Sequence, residues 1–127
     1  MKNNKSFSLR ARGESFIYAV EGIKAFFQEE HNARIHLAAT AFVIALSIVF
    51  RLSSIEIIAL TISIGFVWVA EIFNTVIEKA MDFISIEKDN RIKIIKDLSA
   101  AAVLIAALVA MLTGCLIFIP KILLCIS

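Results

Sequence analysis

GFVWVAEIFNTVIEKAMDFI, residues 65–84, sets Glu71, Asn74, Glu78 and Asp82 directly behind Ile55 to Ala70, a run of sixteen residues with one acid, Glu56, and no base. An apolar run of that kind suits lipid, so the carboxylates at its end need a reason. On an α-helix each residue advances about 100°, which puts Glu78 about 20° from Glu71, Asp82 about 20° to the other side and Thr75 about 40° away. Asn74 is offset by about 60° and stays near that sector. The acids form one polar stripe with Glu71 deepest, and Glu71 and Glu78 are about 10.5 Å apart along the axis.

An ionised carboxylate facing hydrocarbon costs several kcal/mol, so acids in a span face a protein interior or a watery cavity. The plainer reading ends the span near Ala70 and makes the acids a solvated face. Against it, Ile72, Phe73, Val76, Ile77, Ala80, Met81 and Phe83 keep the rest of this helix apolar past Asp82.

The composition agrees with a membrane protein: 60% of the 127 residues are hydrophobic and 19% charged, against about 45–50% and about 25% in soluble domains. The length gives room for one domain, 1–127. A net charge of +2 is too small to argue for nucleic acid as a partner. Apolar blocks at 35–51, 55–84 and 98–120 read as three transmembrane helices, the third stopped by Pro120 and Lys121. Residues 1–13 read as a flexible basic N-terminus without a signal-peptide core, so the spans themselves direct insertion.

Residues 14–30 read as an amphipathic helix, with Phe16, Val20, Ile23 and Phe27 on one face. Lying in the membrane interface suits it better than packing in a soluble core, since no other soluble segment is present to pack it. Six Lys and Arg precede the first block and five fall between Lys79 and Lys96, whereas Arg51 alone follows the first block and Lys121 alone the third. Basic residues mark the cytoplasmic side, so the stripe opens there.

Ala102, Ala106, Ala110 and Gly114 form a ladder of small residues that lets another helix approach closely, in this chain or another copy. Three helices enclose little, which points to an oligomer. Cys115 and Cys125 are about 15 Å apart along one helix, too far for a disulfide, and fit no zinc spacing. QEEHNARIH, with Glu29, Glu30, His31, Arg34 and His36, reads as a charged interfacial collar and only weakly as a metal site. Lys96 and Asp97 sit at the membrane edge, where the lysine either anchors the helix or meets a phosphate. Carboxylates and lysines at one level are what a magnesium and polyphosphate site needs, yet no P-loop or soluble kinase motif is present.

EIFNTVIEKAMD resembles the E-x-x-N-[ST]-x-[IL]-E-x-x-x-D signature of the prokaryotic diacylglycerol kinase family, small trimeric membrane lipid kinases that include the undecaprenol kinases. SFIYAVEGIKAFF, EEHNARIHL and KDLSAAAVLIAA are similar to the family in the same order, from about Arg12 to Pro120. The resemblance implies a homotrimer with its site between subunits in the bacterial inner membrane, at the cytoplasmic face. It implies Glu71 as catalytic base with Asn74 positioning the reacting groups, and Glu30 and Glu78 as ligands of the Mg²⁺ that comes with ATP. Tyr18, Glu87, Asp89, Lys96 and Asp97 would join them at the nucleotide, Asp82 would match the last acid of the signature, and Arg12 and Arg34 would flank Glu71 at the lipid. The chain departs from the family at His31, at Asp89 and at Leu98–Ser99 after the Lys-Asp pair.

The function expected is phosphorylation of a membrane lipid alcohol by ATP. The RIHL collar and GIKAFF helix resemble undecaprenol kinases more than diacylglycerol kinases that make phosphatidic acid. The alternatives of other classes are a small ion or proton transporter, whose acids belong nearer the bilayer midplane, and a structural bundle without chemistry.

Overall fold

The computed structural model describes residues 9–84 and 89–126, all helical apart from short connections. Helix α1 runs Leu9–Glu29, α2 His31–Val49, α3 Ser54–Ile84 and α4 Asn90–Ile126. The last three are long and apolar enough to cross a membrane.

Several helix ends have a local cause. Glu30 alone separates α1 from α2: its N–H still donates to the Phe26 carbonyl at 3.0 Å, while its backbone is extended (φ −97°, ψ 119°) as the N-cap of α2. After α2, the N–H groups of Arg51 and Leu52 donate back to the carbonyls of Ile48 and Ser47, at 3.2 Å each. That is a Schellman ending, which wants a residue in the left-handed region and usually takes glycine. Here Arg51 occupies it, at φ 46°. The strain costs an L-residue about 1–2 kcal/mol, and glycine's greater freedom in the unfolded chain offsets part of any relief. Arg51→Gly is therefore expected to stabilise the protein by about 0.5–1 kcal/mol, read as a higher thermal midpoint in detergent; a lower midpoint would show that the arginine side chain contributes more than its backbone costs.

Helix α3 opens on a capping box. The Ser53 N–H and hydroxyl both donate to Glu56 Oε2 at 2.7 Å, and the Glu56 N–H reaches Ser53 Oγ at 3.4 Å. The other Glu56 oxygen takes Lys121 from α4 at 3.0 Å, which accounts for the one acid in the apolar run.

Several expected boundaries are corrected. Residues 9–13, expected in a flexible N-terminus, are the first turns of α1. Helix α2 starts at His31, before the apolar block, and ends at Val49 because Arg51 lies in the cap. Helix α4 begins eight residues before Leu98, since Asp89 caps it, and continues through Pro120 to Ile126. Proline deletes only the bond to the carbonyl four residues back and does not end a helix whose remaining ladder holds.

Helices α3 and α4 pack antiparallel along their length, with α2 against α3 and α1 joined to α2 at the Glu30 junction. Leu52, Leu60 and Phe118 form a small buried cluster at the end far from the acids, with Phe50 tilted on Phe118 at 6.1 Å. At the other end Phe26 and Phe27 of α1 contact Trp68 of α3 at centroid distances of 6.3 and 5.3 Å. Lys79 and Glu29 pair beside them. Both are half exposed, so the aromatic contacts hold α1 more than the ion pair does. Of the α1 face expected to meet lipid, Phe16 is 73% exposed and Val20 and Ile23 close to half, whereas Phe27 packs on Trp68.

The chain exposes 10195 Å², against roughly 6,700 Å² for a compact monomer of 14.0 kDa. Most of its apolar surface is therefore left for lipid or other chains. The small-residue ladder turns about 40° per step and so does not keep to one face. Ala102 and Ala106 line a groove beside Phe66 and Ala70, whereas Ala110 and Gly114 line the cleft between α2, α3 and α4. Cys115 and Cys125 are both free thiols.

Candidate functional site

If α3 enters hydrocarbon near Ser54, the roughly 30 Å apolar thickness is crossed in about 20 residues. Glu71 and Asn74 then fall at the far edge, with Glu78 and Asp82 beyond it. Burial grades the same way: Glu71, Asn74 and Thr75 are buried, Glu78 is intermediate and Asp82 is exposed. The inner half of the stripe thus faces protein, and only its outer half is a solvated face.

Glu71 is 4% exposed. Its Oε1 lies 2.8 Å from Nε2 of His36 on α2. One turn along α2, Thr40 Oγ1 accepts the Trp68 indole N–H at 3.2 Å and donates to the His36 carbonyl at 2.7 Å. The Trp68 ring stands edge-on to His36 at 6.4 Å.

One turn further out, the Asn74 amide bridges two helices. Its Nδ2 donates to Glu78 Oε1 at 3.1 Å, and its Oδ1 accepts the Ser99 hydroxyl of α4 at 2.6 Å. Ser99 is buried, so replacing it with an apolar residue would leave Asn74 Oδ1 without that donor, at a cost of about 1–3 kcal/mol. The outermost layer is Lys96 of α4 on Asp82 Oδ1 at 2.9 Å. Three layers therefore tie the acids of α3 to α2 and α4.

Other expected site residues have local partners. Arg34 donates from Nη2 to the Gln28 carbonyl at 2.8 Å and from Nε to that of Phe27 at 3.4 Å, closing the end of α1. Asp89 Oδ1 accepts the Arg91 N–H at 2.8 Å as the N-cap of α4, and Oδ2 takes the Arg91 guanidinium at 2.8 Å. The guanidinium and N–H of Arg91 together hold the Asp89 carboxyl below the usual carboxylate range, so the ionised cap persists into acid. Asp97 pairs with Lys93 at 3.2 Å one turn back. Tyr18 and Arg12 are exposed on α1. Glu87 lies outside the described residues.

Glu30 stands at the α1–α2 junction without a side-chain capping bond. It is close enough to Lys79 to act on its charge, as Glu78 is to Lys96. Among the described residues, no three His, Cys, Asp or Glu side chains gather to hold a metal. Magnesium bound with a nucleotide needs no such cage: one or two carboxylates suffice, with phosphates and water as the remaining ligands. Glu30 and Glu78, hard oxygen donors near lysines, fit that role.

Sequence reading missed two residues here. His36 reads in the sequence only as part of the collar, and its pairing with Glu71 spans 35 positions. Ser99 reads there only as a departure from the family, whereas its hydroxyl orients Asn74.

A cleft of about 450 Å³ opens between α2, α3 and α4. His36 and Thr40 stand among its lining with Trp68, and the rest is almost wholly apolar down to Phe118 and Ile119. The arrangement offers a buried carboxylate held by a histidine that lines an apolar cleft, and further acids with lysines beyond it.

Comparison with known proteins gives the same direction. The family model described as prokaryotic diacylglycerol kinase matches residues 17–118. An undecaprenol kinase of Bacillus subtilis (strain 168) is 34% identical over 108 residues, 85% of this chain and 88% of that protein. A diacylglycerol kinase of Synechocystis sp. (strain ATCC 27184 / PCC 6803 / Kazusa) is 32% identical over 110 residues, 86% of this chain and 63% of that protein.

Proposed function

This chain belongs to the prokaryotic diacylglycerol kinase family and is a lipid kinase, and from that premise we propose that it phosphorylates undecaprenol with ATP at the cytoplasmic face of a bacterial inner membrane. The observation that carries the reading is Glu71, a carboxylate 4% exposed and paired with His36, which lines an apolar cleft of about 450 Å³. The cleft is within the size range of ligand cavities, about 300–1,000 Å³. It takes the hydroxyl-bearing end of the lipid while the remainder stays in the bilayer.

Glu71 accepts the hydroxyl proton as the lipid oxygen bonds to the γ-phosphorus and the β–γ bridging bond breaks to release ADP. Asn74 fixes Glu78, and Lys96 and Asp97 lie at the level of the phosphates. Tyr18, Glu87 and Asp89 complete the nucleotide site, with Arg12 and Arg34 near the lipid headgroup. Glu30 and Glu78 would hold the Mg²⁺ that comes with ATP, which would supply charge neutralisation to the transferring phosphoryl group.

The surface left open by one chain supports a homotrimer, with the groove at Ala102 and Ala106 receiving a neighbouring helix. Undecaprenol is preferred to diacylglycerol on the relative that matches over 88% of its own length. Diacylglycerol remains the second reading, from the Synechocystis relative. Membership of a kinase family leaves the transporter without support.

In mixed micelles the purified protein should transfer labelled γ-phosphate from ATP to undecaprenol faster than to diacylglycerol. The reverse preference would reassign the substrate, and labelling of neither would sink the proposal.

A further inference from the structure

We propose that His36 is the positioning residue of the base: through Nε2 it holds Oε1 of Glu71 and leaves Oε2 to take the proton of the lipid hydroxyl. The inference rests on the assignment of Glu71 as base and adds a second helix to it.

The geometry is specific. The 2.8 Å contact joins α2 to α3, and the Glu71 side chain is 5% exposed, so water contributes little to holding the carboxylate. A buried anion needs a hydrogen-bonding partner to remain ionised, and it must be ionised to accept a proton. His36 serves as either a neutral Nε2–H donor or an imidazolium, because its partner only accepts.

The ring itself is held. Trp68 stands edge-on against it, and the indole is fixed by its hydrogen bond to Thr40. Phe26 and Phe27 of α1 bear on the same indole. The imidazole is thus ordered before substrate arrives, and the carboxylate it holds needs little reorganisation during the reaction. His36 also lines the cleft, which puts it beside the path of the hydroxyl.

In the step, the hydroxyl proton passes to Oε2, the oxygen's electrons form the bond to γ-phosphorus, and the electrons of the β–γ bridging bond leave on ADP. His36 keeps its Nε2 proton throughout. It acts only through Glu71.

The test compares His36→Phe, which keeps a ring against Trp68 but donates nothing, with His36→Gln, which restores a donor. In micelles with ATP and undecaprenol, His36→Phe should lower kcat by about tenfold or more, as expected for a lost hydrogen bond to a charged group. The KM values for ATP and lipid should stay within about twofold. His36→Gln should recover most of the rate, and adding His36→Phe to Glu71→Gln should cost little further, since the residue acts through that carboxylate. Unchanged kcat in His36→Phe, equal losses in the Phe and Gln variants, or a full additional loss in the double variant would overturn the proposal. If His36→Phe fails to fold, His36→Leu replaces it as the variant without a donor.

A second readout needs no turnover. In ¹⁵N-histidine-labelled protein in detergent, Glu71→Gln should move the His36 Nε2 resonance, and an unmoved resonance would overturn the pairing. A wild type that labels no lipid but shows this shift would defeat the base assignment, and with it the proposal, while leaving the contact intact.

Discussion

Glu71→Gln is expected to lower kcat by about 10²–10⁴-fold, the range general-base catalysis contributes, while ATP still binds. A lipid alcohol is a poor nucleophile, and phosphoryl transfer asks the protein mainly for positioning, charge compensation and a proton acceptor. Glutamine keeps the shape of Glu71 and can still accept from His36 Nε2, so the site is left in place and only the proton acceptor is lost. Two measurements check it: initial rates with labelled ATP in mixed micelles, and equilibrium nucleotide binding in the same preparation. A variant retaining more than about a tenth of wild-type kcat would remove Glu71 as base, whereas parallel loss of ATP binding would make it a nucleotide residue.

The same carboxylate marks how far sequence alone reaches. The stripe was legible because period and polarity along one helix determine which residues share a face: Glu71, Asn74 and Thr75 do turn inward. What they meet was not legible. His36 lies 35 positions away and Ser99 is 25 from Asn74, and such pairings depend on how helices lie against each other. Helix ends were read from hydropathy, which reports where lipid begins and not where hydrogen bonding stops. Helix α4 therefore reaches outward to the Asp89 cap and past Pro120. Ser53 and Glu56 did carry a local signal, the three-residue spacing of a capping box, that would have assigned the lone acid of the apolar run to a helix start.

Structure also separates expected site residues by how much of each is already engaged. Arg34 closes α1, and both Asp89 oxygens are taken by Arg91. Either would meet substrate while already holding a local partner through part of its hydrogen-bonding capacity. Glu30 makes no capping bond, and Glu78 has one oxygen on Asn74.

That contrast gives the second large effect. Glu30→Gln and Glu78→Gln should each raise the Mg²⁺ concentration for half-maximal activity by about 10–100-fold, a loss that even outer-shell changes at metal sites can produce. The amide keeps side-chain volume but removes the negative charge, and magnesium sheds water reluctantly for a neutral oxygen. In Glu78→Gln the amide oxygen can still accept from Asn74, so the Ser99–Asn74 bridge stays. Excess Mg²⁺ should recover part of the rate in each single variant and little in the double, because with both carboxylates gone only phosphates and water remain as ligands. Mg²⁺ titrations at fixed total ATP decide it. If both single variants follow the wild-type curve, Glu30 and Glu78 are not the ligands, and Asp82 with Asp97 becomes the next pair to vary.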